Sequence, residues 1–157
     1  MGVTLAKGGN VSLSKQAANL TAITVGLGWD QRTTTGGADY DLDASALLTG
    51  SDRKVLSDRH FVFYNQLKSP PDGAVEHTGD NLTGEGDGDD ESINVDLIAL
   101  DPKVTNIFFP VSIHDAVQRG GQSFGQVINA FIRIVDRNTG IELARYDLTE
   151  EASTETA

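Results

Sequence analysis

Apolar and polar residues alternate with a period of two along much of this chain, the spacing that sends successive side chains to opposite faces of an extended strand. Val3 and Leu5 alternate, as do Val11 and Leu13, and the run LTAITVGLGW over 20–29 is rich in β-branched residues and bounded by Gly and Asp. YDLDASALL (40–48), FVFYNQL (61–67), SINVDLI (92–98) and NIFFPVSIH (106–114) also have strand length and composition. In the last, Ile107, Phe109, Val111 and Ile113 share one face, and Pro110, which lacks an amide hydrogen, predicts an edge position or a bulge. The clearest hairpin joins AFIRIVD (130–136) to IELARYDL (141–148) through Asn138 and Gly140, residue types that tolerate positive φ.

Helical signals are sparse. The stretches 14–19 and 122–129 each predict a turn or two, and Asp101-Pro102 could start another. About eight strands at short spacing, with turn signals between them, predict a mainly β chain folded as a two-sheet β-sandwich with a few short helices. Residues 1–148 are expected to form one domain, and the polar TEEASTETA over 149–157 a disordered acidic tail.

Composition narrows the chemistry. The 157 residues include no cysteine, which excludes disulfides, thiolate zinc sites, iron–sulfur clusters and thiol redox work. Neither an apolar signal segment nor a run of about 18 apolar residues occurs, so a cytoplasmic location is expected. The net charge of -11 is local. Ten carboxylates and no Lys or Arg lie between Ser69 and Pro102, leaving thirteen acids against twelve bases elsewhere. Without a basic patch, nucleic acid and anionic membrane are disfavoured as partners.

The charge peaks in GDNLTGEGDGDDE over 79–91, with six carboxylates and four glycines in thirteen residues. Calcium takes six to eight oxygen ligands in irregular geometry. Aspartate holds its carboxylate close to the backbone, and glycine lets the chain coil so that carboxylates and carbonyls converge. Asp87, Asp89 and Glu91 alternate with Gly88 and Asp90, while Asp80 and Asn81 form the other lip of the loop. A second cluster is Asp39-Tyr40-Asp41-Leu42-Asp43, whose aspartates share one face of an extended chain, with Asp30 upstream. Asn65 adds a candidate carbonyl ligand. If strand and loop meet, both clusters could share one or two Ca2+ ions. The composition also fits a solvated loop and an ordinary polar-faced strand, but packed carboxylates repel by about 4 kcal/mol per pair at 4 Å and an effective dielectric of 20, which favours a cation.

Other motifs fail on spacing. EF-hand registers starting at Asp39 or Asp87 lack the required Gly and the terminal Glu. His60, His77 and His114 are scattered, no P-loop is present, and Ser112, His114 and Asp115 do not by proximity make a triad. Glycines 84, 86 and 88 sit among carboxylates that would repel a pyrophosphate.

VTLAKGGNVSLSK, GLGWD, YDLDASA, FVFYNQ, AVEHTGDNLTGEGDGDDESINVDL and INAFIRIVDRNTGIELARYDL resemble, in order and spacing, the TerD family of bacterial tellurium-resistance and general stress proteins. The resemblance implies a calcium-binding β-sandwich. Asp41 and Asp43 match the family's DLD, Asp80, Asn81, Asp87, Asp89, Asp90 and Glu91 match its loop, and Asp30 and Asn65 match family positions. It implies a non-enzymatic stress-response protein with protein partners, held at the inner membrane face, if at all, through them. Two other readings are a metal-dependent phosphate- or nucleotide-binding enzyme and a metal-independent acidic interaction module. With no thiol and no basic pocket, direct reduction of tellurite is not expected. Family chains usually run on past the counterpart of ETA into aromatic-rich strands, so the resemblance implies either a truncation point here or a short member, with a strand edge open to pairing.

Overall fold

The computed structural model describes residues 3–6, 9–13, 19–30, 39–81, 83, 84 and 88–157. Eleven strands occur among the described residues: β1 (Val3–Leu5), β2 (Ala22–Gly28), β3 (Leu42–Ala44), β4 (Ala46–Thr49), β5 (Phe61–Val62), β6 (Val75–His77), β7 (Glu91–Asp96), β8 (Asn106–Phe108), β9 (Val111–Ile113), β10 (Phe131–Asp136) and β11 (Glu142–Asp147). Among the described residues, helix comprises 3-10 turns at Asp58–His60 and Phe124–Gln126, a helical residue at Leu13 and one short helix, α1 (Leu148–Glu151). The mainly β sandwich expected from the alternation is the fold observed.

One layer is a six-stranded sheet in the order β1-β11-β10-β2-β7-β6. Its centre, β2, is apolar on the inward face, where Ile23, Val25 and Leu27 are fully buried beside Ile93 and Val95 of β7. The opposing layer holds β5-β4-β8 and β3-β9. Leu42, Ala44, Ala46, Leu48 and Val62 from this layer join the same core cluster. Burying each Leu, Ile or Val side chain of this cluster contributes about 1.5–3 kcal/mol, so this shared interior holds the layers together.

The strands expected at 40–48 and 106–114 are each split in two, yet their register is continuous. Leu42 pairs with Ile113 and Ala44 with Val111; after the interruption Leu47 pairs with Phe108 and Thr49 with Asn106, the same register throughout. Between them the Ser45 amide donates to the Pro110 carbonyl at 3.0 Å. Proline has no N–H to return that bond, so the ladder loses a rung without slipping. The opposing layer is therefore a three-strand sheet, β5, β3–β4 and β9–β8.

Three expectations change. FVFYNQL is strand only at Phe61–Val62 and then turns at Tyr64 and Asn65, closed by a Phe63–Gln66 bridge. Asp101-Pro102 opens a turn, with the Val104 amide donating to the Asp101 carbonyl, instead of a helix. The stretch 149–157 is not a free tail. Asp147 caps α1 by accepting from the Glu150 amide, Leu148 and Ala152 are buried, and the carbonyls of Ser153, Glu155 and Thr156 accept from the amides of Gly125, Phe124 and Ile113. Its polar composition misled because it docks mainly through backbone acceptors, which composition does not report. The turn expected at 14–19 lies mostly outside the described residues.

Candidate metal centre

Strand β3 delivers the first two carboxylates. Leu42 and Ala44 anchor in the core, which turns Asp41 and Asp43 to the opposite side. The approach to β3 is fixed by the Trp29 indole N–H donating to the Tyr40 carbonyl at 3.0 Å and by the His114 amide donating to the Asp41 carbonyl at 2.7 Å. Arg119 Nη1 also donates to the Asp39 carbonyl at 3.0 Å. The third carboxylate, Asp80, comes from the loop between β6 and β7. One carboxylate oxygen from each of Asp41, Asp43 and Asp80 falls within 4.8 Å of the others.

Glu91, at the start of β7, ties that loop to β3. Its Oε1 accepts from the Ala44 amide and its Oε2 from the Asn81 amide, both at 3.1 Å. The side chain is fully buried, and His77 Nε2 faces Oε1 at 3.4 Å. The Gly79 amide donates to His77 Nδ1, which assigns the ring proton to Nε2 and points it at Glu91.

The cluster grades from interior to surface: Asp41 is buried, Asp43 half-buried and Asp80 exposed. Burial pushes the Asp43 carboxyl up to about 7, with Asp41, Glu91 and Asp80 adding to the rise. Burial likewise raises Asp41 to about 6, reinforced by Asp80 and opposed by His114 and Arg119. Glu91 is raised by burial, opposed by the neighbouring His77 ring and by the hydrogen bonds it accepts from the Ala44 and Asn81 amides. Asp41 Oδ1 is buried with no hydrogen-bond partner. Three carboxylates at this spacing, one with an unpaired buried oxygen, fit a hard cation that prefers oxygen ligands.

The other expected ligands are placed elsewhere. Asp89 forms a two-pronged ion pair with Arg133 of β10, Nε to Oδ1 at 2.9 Å and Nη2 to Oδ2 at 3.1 Å, on the outer face of the large sheet. Asp90 Oδ2 accepts from the Trp29 amide at 2.8 Å, and burial raises this carboxyl, with Asp89 and Asp30 adding to it. Asp30 is exposed and accepts from Asn129 Nδ2 at 2.7 Å. Asn81 Oδ1 accepts from the amides of Thr83 and Gly84, closing the loop turn. Asn65 is exposed on its turn. Asp87 lies outside the described residues.

Sequence reading missed Arg133, His77 and His114. His114 Nδ1 is 3.9 Å from Asp43 Oδ2, and its Nε2 is 3.3 Å from Asp115. No local pattern marks these partners, because Arg133 meets Asp89, His77 meets Glu91 and His114 meets Asp43 only across the fold. Beside Asp43 opens a cleft of about 290 Å³, walled by Phe61, Phe63, Tyr64, Ser112 and His114.

Comparison with known proteins adds a family. The TerD domain matches residues 1–157. The chain is 60% identical to tellurium resistance protein TerD of Serratia marcescens over 157 residues, covering 100% of this chain and 80% of that one. It is 50% identical to general stress protein 16U of Bacillus subtilis (strain 168), again over 100% of this chain and 80% of that one. A solved homologue of the telluride resistance protein from Streptomyces coelicolor A3(2) superposes with a TM-score of 0.69 at 24% identity, over 86% of this chain and 76% of that one, a likeness of fold.

Proposed function

The chain belongs to the TerD family of tellurium-resistance and general stress proteins, and from that premise we propose that it is a calcium-binding, non-enzymatic member that acts through partner proteins. The observation that carries this reading is the convergence of Asp41, Asp43 and Asp80, together with the buried, unpartnered Oδ1 on Asp41. Asp41, Asp43 and Asp80 would hold one ion, with Glu91 bracing strand and loop behind them. A bound calcium supplies positive charge that offsets the repulsion, about 3–4 kcal/mol per ionised pair near 4.8 Å at an effective dielectric of 20.

The chain's own residues do the rest. Asp41 and Asp43 belong to the three-strand layer, Asp80 to the loop entering the six-strand layer and Glu91 to the start of β7 within it. An ion between them links the layers and fixes the acidic loop, whose surface is then presented to a stress-response partner in a calcium-dependent form. The chain has no thiol with which to reduce an oxyanion, so its part in tellurite resistance is indirect. No helix among the described residues is long and apolar enough to cross a membrane.

Chelator-treated protein returned to calcium at about a hundred times the dissociation constant should gain about 2.7 kcal/mol, a rise in melting temperature of about 5–10 °C. Asp43→Asn should remove most of that rise. An unchanged melting curve at millimolar calcium would reject the proposal.

A further inference from the structure

The small sheet turns a row of aromatic rings to its outer side. Val62 and its partner Ala46 are fully buried, so Phe61 and its partner Leu47 face away from the core, and Leu47 is in turn opposite the exposed Phe108. Asp43 and Ser112 pair on that same outer side. The rings run on toward them. Phe61 stacks on Phe63 with centroids 4.6 Å apart, Phe63 meets Tyr64 edge-on at 5.5 Å, and Tyr64 meets His114 edge-on at 6.2 Å. The row is held in place by its own turn. Phe63 and Gln66 exchange backbone hydrogen bonds around Tyr64 and Asn65, and Gln66 Nε2 donates to the carbonyls of Asp58 and Phe61 at 2.7 and 2.6 Å.

The row ends at carboxylates. The cleft of about 290 Å³ lies between these rings and Asp43, and the exposed Asp115 also lines it. His114 stands between the two acids, with Nδ1 3.9 Å from Asp43 and Nε2 3.3 Å from Asp115. No lysine or arginine is among the described residues of its lining. One calcium ion on the neighbouring cluster would not reverse the sign, because Asp41, Asp43, Asp80, Glu91 and Asp115 together carry more negative charge than the ion offsets. Sites for small molecules run from about 300 to 1,000 Å³, so this cleft has room for one side chain and not for a cofactor. Aromatic walls and a negative rim together fit a cation. A guanidinium uses both features at once, stacking its flat face on the rings while its N–H fork donates to a carboxylate.

We propose that this cleft is a docking site for an arginine side chain of a partner protein, whose neighbouring residues lie against the outward strip of Leu47 and Phe108. A protein-borne arginine fits better than the free amino acid, whose own carboxylate would be brought close to Asp43 and Asp115. Docking here rests on the reading that the chain acts through partner proteins. It does not require calcium, because Phe63, Tyr64 and Asp115 are outside the cluster of Asp41, Asp43 and Asp80.

The test titrates N-acetyl-arginine amide into the 157-residue chain at pH 7.5, once with calcium and once in chelator, and follows the backbone amide resonances. Saturable shifts at Tyr64, His114 and Asp115 are expected in both conditions. The uncharged isostere N-acetyl-citrulline amide should give none, and free arginine should bind more weakly. Tyr64→Ala and Asp115→Asn should each weaken binding about fivefold or more, whereas Tyr64→Phe should retain it, with circular dichroism confirming that each variant is folded. No saturation at tens of millimolar arginine amide, or equal binding of the citrulline compound, would overturn the proposal. So would shifts that calcium abolishes and that centre on Asp41, Asp43 and Asp80, because the cation would then occupy the ion cluster. Calcium binding, titrated in the same samples without the amide, stands or falls separately.

Discussion

At the residue scale, Asp41 and Asp43 oppose stability and ligand affinity in the same side chains. Their carboxyls titrate near 6 and 7 against an ordinary value of 3.8, chiefly because burial disfavours the charged form. Between pH 4 and 7 the calcium-free folded state therefore holds more protons than the unfolded state, and stability falls as pH rises through that window. Calcium needs the ionised groups, so its affinity should rise over the same window. In chelator, the Asp41→Asn/Asp43→Asn double variant should gain in melting temperature relative to wild type as pH goes from 4.5 to 7.5; a constant difference would contradict the assigned burial effect. With calcium at pH 7.5 the order should reverse. These two aspartates were legible from DYDLD because a two-residue period puts them on one face. Asp89 was read as an ion ligand, and its pairing with Arg133 was not legible, because Arg133 is 44 residues away and reaches it only across paired strands.

At the scale of elements, the acidic loop is held to the outer face of β2 by close approach. A Cβ on Gly26 would lie 2.2 Å from Asp89 Oδ2, so Gly26→Ala must displace the carboxylate that pairs with Arg133. The expected cost is about 1–3 kcal/mol, read by denaturant unfolding, together with weaker calcium binding as the loop loosens. Asp89→Asn should weaken the loop tether without that steric cost, and if both variants bind calcium like wild type, the tether is not part of the site. Strands β2, β7 and β10 were legible because alternation and β-branched content agree over six or seven residues, and β11 because it follows the turn through Asn138 and Gly140 as the second arm of a hairpin. The interruption of the 42–49 and 106–113 pair was only half legible. Pro110 signalled the missing donor, but preservation of register across the gap depends on the partner strand.

At the scale of the molecule, the sandwich followed from many short alternating segments, whereas the unequal size of its layers and the docking of 149–157 did not. Layer pairing and backbone acceptors leave no trace in hydrophobic pattern. The carboxylate cluster joins the two layers at a seam, and that seam is where a ligand most directly alters the whole. The central claim is that this seam binds calcium, and isothermal titration of calcium into metal-free protein at pH 7.5 tests it most directly. The account predicts saturable binding of at least one ion, weakened at least tenfold by Asp41→Asn and by Asp43→Asn and little changed by Asp30→Asn. Absence of binding up to millimolar calcium, or binding that survives both cluster substitutions unchanged, would contradict it.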